Sequence, residues 1–103
     1  MSAYILSVCG VTNMTDDFKK YIGLSAALVK EAGGTYLVRG KNAENVEGSG
    51  LDGKVVILIS FPSMEQLKGF VYGEKYQNEV KHLRDNTGIY DIAIFESPPP
   101  GPG

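Results

Sequence analysis

Four stretches of apolar residues have the length and composition of β-strands. Residues 3–11 have no strongly polar face, and residues 54–61 are apolar on both faces. Residues 36–38 and 89–96 carry the branched and aromatic side chains that favour strands. A strand that is apolar on both faces must be covered on both, so residues 54–61 are predicted to be central in a sheet.

Apolar positions three and four residues apart predict helices between these strands. The first helix is predicted over residues 18–32, with Thr15 as its N-terminal cap. Ser63 and Gln66 have the spacing of a capping box, which predicts a second helix that runs to about Tyr72. After a break at Gly73, a further helical piece is expected. It covers residues 74–86, with an apolar stripe of Tyr76, Val80 and Leu83.

The pair Gly33-Gly34 is predicted to end the first helix, because glycine adopts the left-handed conformation that follows a last helical turn. A strand begins directly afterwards. Simple alternation along it puts Thr35, Leu37 and Arg39 on one face and Tyr36 and Val38 on the other. Arg39 is expected where this strand ends, paired either with a surface carboxylate or with a ligand anion.

The predicted order of elements is β-α-β-β-α-β. This is the pattern of a ferredoxin-like α+β sandwich with a four-stranded antiparallel sheet. Two helices cover one face of such a sheet, and a solvated second face should be polar. Here the second face is apolar, so we expect another copy of the chain to cover it in a homodimer. Residues 1–96 are predicted to form a single domain, and residues 97–103 a flexible tail rich in Pro and Gly.

Composition and motifs argue against several classes of function. The 10 basic and 12 acidic residues form no clustered basic run, so no nucleic-acid partner is predicted. RNA binding through the ferredoxin-like fold is a weaker alternative, since the strand 54–61 offers no aromatic platform before Phe61. The longest apolar run is too short to span a bilayer and no secretion leader opens the chain. We therefore expect a cytoplasmic protein without a membrane partner.

Metal, cofactor and nucleotide sites are not predicted either. Cys9 and His82 are the single cysteine and histidine, and neither belongs to a cluster with ligand spacing. Cys9 is expected to be a buried, inert thiol and His82 to be solvated. Residues 48–53 match the glycine-rich dinucleotide pattern. Because a strand rather than a helix follows them, we predict a flexible hairpin loop.

Several polar and aromatic residues remain that can line a pocket between helices and sheet. They are Tyr21, Tyr36, Arg39, Glu47, Tyr76 and Arg84. Arginine and tyrosine can hold a carboxylate or a phenolate, and Glu47 can act as a general base if the fold buries it. The competing interpretation is that the tyrosines fill core and interface while the charges are solvated.

Several short motifs along the chain resemble those of a known protein family. They are Met1-Ser2-Ala3-Tyr4-Ile5, Tyr21, Gly33-Gly34-Thr35-Tyr36-Leu37-Val38-Arg39-Gly40, Glu47-Gly48, Phe61-Pro62-Ser63 and Glu74-Lys75-Tyr76-Gln77 with Arg84. With these motifs the chain resembles the family catalogued as domain of unknown function 1330, except in its Pro-rich tail. One local departure is Lys41, which follows Gly40 where the motif often reads Arg-Gly-Gly.

The resemblance implies membership of the dimeric α+β barrel superfamily and hence the same face-to-face dimer. Relatives there include cofactor-free monooxygenases acting on aromatic polyketides, muconolactone isomerases, haem-degrading enzymes and chlorite dismutases. The absence of tryptophan and the position of His82 count against haem degradation.

The leading hypothesis is a homodimer that binds a small, largely apolar, anionic or aromatic molecule. Whether it is an enzyme stays open. If it is, the chemistry is expected to be cofactor-free oxygenation or isomerisation, in which Arg39 holds the anion and Glu47 moves a proton. Tyr21, Tyr36, Tyr76 and Arg84 would bind the ligand. The alternative is a non-catalytic ligand-binding or interaction module on the same dimer.

Overall fold

A computed structural model describes residues 2–98 and contains one antiparallel sheet of four strands. The strands are β1 (Ser2–Val11), β2 (Thr35–Lys41), β3 (Val55–Phe61) and β4 (Gly88–Ser97), arranged in the order β2-β3-β1-β4. The sheet and its helices confirm the predicted ferredoxin-like α+β fold. Strand β4 includes Ser97, the first residue of the predicted tail, and residues 99–103 lie outside the described part of the chain.

Two α-helices and an irregular helical region connect the strands. Helix α1 spans Asp16–Glu31 and α2 spans Met64–Val71. A π-helical segment, Lys75–Val80, and a 3₁₀ turn, Lys81–Arg84, follow α2 and replace the regular helix that the apolar stripe predicted. None of the helices in residues 2–98 is both long enough and apolar enough to cross a membrane.

Both ends of α1 are closed by the residues that the sequence indicated. The amide of Phe18 donates to Thr15 Oγ1 at 3.0 Å, which confirms Thr15 as the cap. At the other end Gly33 has a φ of 84°, and its amide donates to the carbonyl of Lys30 at 3.0 Å. The amide of Gly34 donates to the carbonyl of Val29 at 2.9 Å, which completes a Schellman motif.

Gly34 is also required by packing against the core. A Cβ atom at this position would lie 2.7 Å from Cγ1 of Val29 and 2.9 Å from Cε1 of Phe61. Both neighbours are buried side chains that cannot move aside cheaply. The glycine pair therefore ends α1, and its close packing against the core allows β2 to begin at the next residue.

The start of α2 is capped as the sequence predicted and is tied to α1. The amide of Gln66 donates to Ser63 Oγ at 3.2 Å. The Gln66 side chain also donates through Nε2 to the carbonyl of Ala32 at 3.2 Å, at the end of α1. This contact joins the C-terminus of one helix to the N-terminus of the other.

The hydrophobic core fills one half of the space between helices and sheet. Its buried members are Ala3, Ile5, Val29, Ile59, Phe61, Leu67, Phe70, Tyr76 and Val80. On the same face of β1, beyond Ile5, the next inward residues are Ser7 and Cys9. These side chains are small, so the first half of α1 is not packed tightly onto the sheet there.

Strand β2 contains a β-bulge that changes which residues share a face. Tyr36 pairs with Ile59, but the next pair along the strand is Val38 with Leu58, so Leu37 has no partner. The extra residue shifts the alternation by one position. Tyr36 and Arg39 consequently share the face that the helices cover. The predicted separation of these two residues was wrong, as was the expectation that the strand ends at Arg39.

The other face of the sheet, which we call the open face, consists mainly of apolar side chains. It is formed by Thr35, Val38, Tyr4, Leu6, Val8, Val56, Leu58, Ser60, Ile89, Asp91, Ala93 and Phe95. All of these residues are half-buried or exposed, and both Val38 and Phe95 are 48% exposed. The helices cover only the other face of the sheet. In the single chain, the open face is therefore a broad apolar surface in contact with water.

Candidate functional site

A cavity of about 480 Å³ lies between the first half of α1 and the helix-covered face of the sheet. It exists because Ser7 and Cys9 of β1 and Ser25 of α1 are small where the core residues farther along are large. Its apolar and aromatic walls come from all the layers around it. They include Phe18, Tyr21, Tyr36, Ile57, Tyr90 and Ile92. Such a lining suits a ligand with an apolar or aromatic body.

Positive charge reaches the cavity from β2. Arg39 and Lys41 both line it, and no Asp or Glu belongs to its lining in residues 2–98. The guanidinium carbon of Arg39 lies 4.6 Å from the centroid of the Tyr36 ring, a cation–π contact that the bulge at Leu37 makes possible. Burial raises the pKa of the Tyr36 phenol, and the charge of Arg39 opposes that rise.

Tyr21 carries a hydroxyl that is held by a second tyrosine behind the cavity. Its oxygen lies 2.8 Å from the hydroxyl oxygen of Tyr76, and its ring stacks on Phe18 with centroids 5.8 Å apart. Burial, followed by the neighbouring Tyr76 phenol, raises the pKa of Tyr21 strongly. Tyr21 therefore stays protonated across ordinary pH and acts as a neutral hydrogen-bonding group.

Tyr76 and Arg84 support the cavity from outside rather than lining it. Tyr76 is 5% exposed and belongs to the core. The guanidinium carbon of Arg84 lies 4.7 Å from the Tyr90 ring centroid and 6.0 Å from that of Tyr21. Burial lowers the pKa of Arg84, but the phenols of Tyr76, Tyr21 and Tyr90 outweigh it, so the net shift is upward and the guanidinium stays charged.

Glu47 does not reach the cavity. It is exposed in the loop between β2 and β3, and it is absent from the residues that line the cavity. The loop that carries it joins two antiparallel strands, which agrees with the predicted hairpin connection. The role of Glu47 in proton transfer stays a prediction. In the described residues no three His, Cys or carboxylate side chains lie close enough together to hold a metal ion.

The structure thus brings Tyr21, Tyr36 and Arg39 to one cavity. The sequence did not indicate that Lys41 and Tyr90 line it too. Lys41 had a signal in its departure from the family motif, but its orientation depends on the bulge. Tyr90 faces the cavity because it pairs with Cys9 across the sheet, which requires the register of β4.

Cys9 is buried, as predicted, although it lies in the wall of the cavity. Burial raises the pKa of its thiol, and the nearby charge of Arg84 only partly offsets this. A thiol with a raised pKa is largely protonated near neutral pH and hence a poor nucleophile.

Solved structures with the same fold include proteins of known and unknown activity. A protein of unknown function from Rhodopseudomonas palustris, RPA0582, matches with a TM-score of 0.68 and 14% identity, over 96% of this chain and 84% of its own. SnoaB, a cofactor-independent oxygenase from Streptomyces nogalater, matches with a TM-score of 0.64 and 12% identity, over 99% and 98% of the two chains. A conserved protein from Methanosarcina mazei Go1 matches with a TM-score of 0.62 and 13% identity, over 95% and 94%. At these identities the likeness shows the fold alone.

The sequence comparisons agree with the motifs described above. No curated protein matches the chain significantly. The family model for Domain of unknown function (DUF1330) matches residues 2–98, which is nearly the whole chain. The chain therefore belongs to the DUF1330 family.

Proposed function

We propose that this protein is a small-molecule-binding homodimer whose cavity takes a compound with an apolar or aromatic body and an anionic group. The observation that carries the proposal is the lining of the cavity. Its walls are mainly apolar and aromatic, Arg39 is directed to it, and no carboxylate in the described residues balances that charge inside it. The cytoplasmic location expected from the sequence belongs to the same proposal.

The apolar walls, Arg39 and Tyr21 each contribute to ligand binding in a different way. Removing the body of the ligand from water stabilises the complex by about 25 cal/mol for each Å² of apolar surface. Arg39 offers a planar set of donors that matches a carboxylate. The neutral phenol of Tyr21 can exchange a hydrogen bond with an oxygen of the ligand, since its pKa is raised far above ordinary pH.

The homodimer part of the proposal rests on the open face. Leu6, Val8, Val56 and Leu58 lie side by side at its centre on strands β1 and β3. A second copy presents an identical apolar surface, so two sheets can cover one another through a two-fold axis. This arrangement leaves the cavity accessible, because the cavity lies on the opposite side of the sheet.

Substitution of Arg39 tests the anion-binding role. We expect wild-type protein to bind 2-naphthoate in a calorimetric titration, and Arg39→Gln to bind it about tenfold more weakly, because a hydrogen bond to a charged group is lost. Lys20→Gln is the matched control, since Lys20 is an exposed cation of α1 outside the cavity lining. Equal affinities for wild type and Arg39→Gln would show that the anion is not held there.

A catalytic version of the proposal is a cofactor-free monooxygenase or isomerase. It draws support from the fold shared with SnoaB, a cofactor-independent oxygenase. It also requires a group that moves a proton. Glu47 was proposed for this step, but it would have to approach the cavity from its exposed loop. Non-catalytic binding needs no such movement and is therefore the form of the proposal that the geometry supports best.

Glu47→Gln tests whether the loop that carries Glu47 contacts the bound ligand. Because Glu47 lies outside the lining, we expect this variant to bind 2-naphthoate with an affinity within about twofold of the wild type, given the small effect of exposed charges. Titration of both proteins under the same salt conditions measures this. An affinity tenfold lower in Glu47→Gln would indicate that Glu47 contacts the bound ligand, as the catalytic version requires.

A further inference from the structure

Arg39 and Lys41 form a pair of cations on one face of an edge strand. The register of β2 pairs Arg39 with Ile57 and Lys41 with Val55, so the residue opposite each cation is apolar. Strand β2 is at the edge of the sheet, so within residues 2–98 no second neighbouring strand can supply a carboxylate. Residues two apart on a strand are separated by about 7 Å, close enough for one ligand group to span them.

Neither cation forms an ion pair with a carboxylate in residues 2–98. The ion pair found among residues 2–98 joins Lys19 to Asp16 on the surface of α1, away from β2. Both Arg39 and Lys41 line the cavity, and no acidic residue in the described chain shares that lining. Both side chains are exposed, so water screens their mutual repulsion, but a ligand with two negative charges can pair with each of them.

We propose that Lys41 makes this cavity selective for a ligand that carries two negative charges at one end of an apolar or aromatic body. The inference rests on the proposed function, since it concerns the same cavity. The planar guanidinium of Arg39 donates to the two oxygens of one anionic group. The flexible side chain of Lys41 brings its positive charge to the second negative charge of the ligand. Two neighbouring carboxylates and one phosphate monoester both satisfy this requirement.

Three probes with the same bicyclic body test the selectivity. They are 2-naphthoate with one charge, naphthalene-2,3-dicarboxylate with two carboxylates, and 2-naphthyl phosphate with two charges on one group at pH 8. Each is titrated calorimetrically into wild type, Lys41→Gln and Lys20→Gln. Lys20→Gln removes the same charge from an exposed position of α1 that does not line the cavity.

We expect the wild type to bind at least one doubly charged probe about tenfold more tightly than 2-naphthoate, as an added charge-assisted hydrogen bond allows. Lys41→Gln should remove this preference, because it lowers the affinity for the doubly charged probe more than the affinity for 2-naphthoate. Lys20→Gln should keep the preference. The doubly charged probe that binds more tightly then distinguishes a dicarboxylate from a phosphate ligand.

The possible failures are distinguishable. If the wild type binds 2-naphthoate but shows no preference for either doubly charged probe, or if Lys41→Gln keeps the preference, the inference is wrong and the proposed function stands. If Lys20→Gln lost the preference for doubly charged probes to the same extent, the preference would result from the overall charge of the protein. This outcome would also overturn the inference. If none of the three probes binds, the proposed function itself fails.

Discussion

Replacing Ser25 with phenylalanine is expected to abolish the binding of 2-naphthoate. Ser25 is half-buried on α1, and its side chain lines the cavity close to Tyr21, one turn earlier. A phenyl ring at this position would occupy the space that we assign to the body of the ligand. We expect the affinity to fall more than about a hundredfold, since most of the apolar contact area is lost. Calorimetric titration measures this loss.

The fold should tolerate this substitution. The added ring enters an existing cavity of about 480 Å³ rather than a filled core, so it need not displace other side chains. A melting temperature equal to or above that of the wild type is therefore expected. Ala27→Phe is the matched control, because Ala27 is exposed on the same helix and does not line the cavity. Retained binding in folded Ser25→Phe would place the ligand site elsewhere.

Replacing Phe95 with aspartate is expected to convert the proposed homodimer to a monomer. Phe95 belongs to the open face of β4, opposite Tyr4 of β1, and is 48% exposed in the single chain. A two-fold axis brings the substitution into the interface twice, so two carboxylates lose water when the sheets meet. We expect the dissociation constant of the dimer to rise at least about a hundredfold, which analytical ultracentrifugation over a concentration series can measure.

Leu24→Asp is the control for this experiment. Leu24 is also 48% exposed, but it lies on α1 rather than on the sheet. The same change in charge and hydrophobicity at this site should leave the dimer intact. A wild-type protein that stays monomeric at micromolar concentration, or a Phe95→Asp variant that dimerises as well as the wild type, would refute the role of the open face.

Part of the fold can be predicted from short stretches of sequence, as Gly33, Thr15 and Ser63 show. Each acts through backbone groups within a few residues of itself, by a left-handed φ or by a capping hydrogen bond. Such interactions depend little on the rest of the chain. The order of strands and helices followed in the same way from local periodicity, and with it the ferredoxin-like fold.

Leu37 shows where this reasoning failed. Simple alternation assumes that every residue of β2 pairs with a residue of β3, but Leu37 has no partner on β3. No residue type in the sequence of β2 indicates a bulge. The presence of Tyr36, Arg39 and Lys41 on one face was therefore not predictable, and neither was a cavity with two cations.

The sequence alone determined the α+β fold, the helix caps, the apolar character of both sheet faces and the residue types available for a site. Only the tertiary structure decided that Tyr21, Tyr36 and Arg39 share a cavity with Lys41 and Tyr90, while Glu47 does not line it. The physical reason is the range of the interactions. Caps and periodicity act within a few residues, whereas a cavity depends on strand register and on which small side chains face a helix across the sheet.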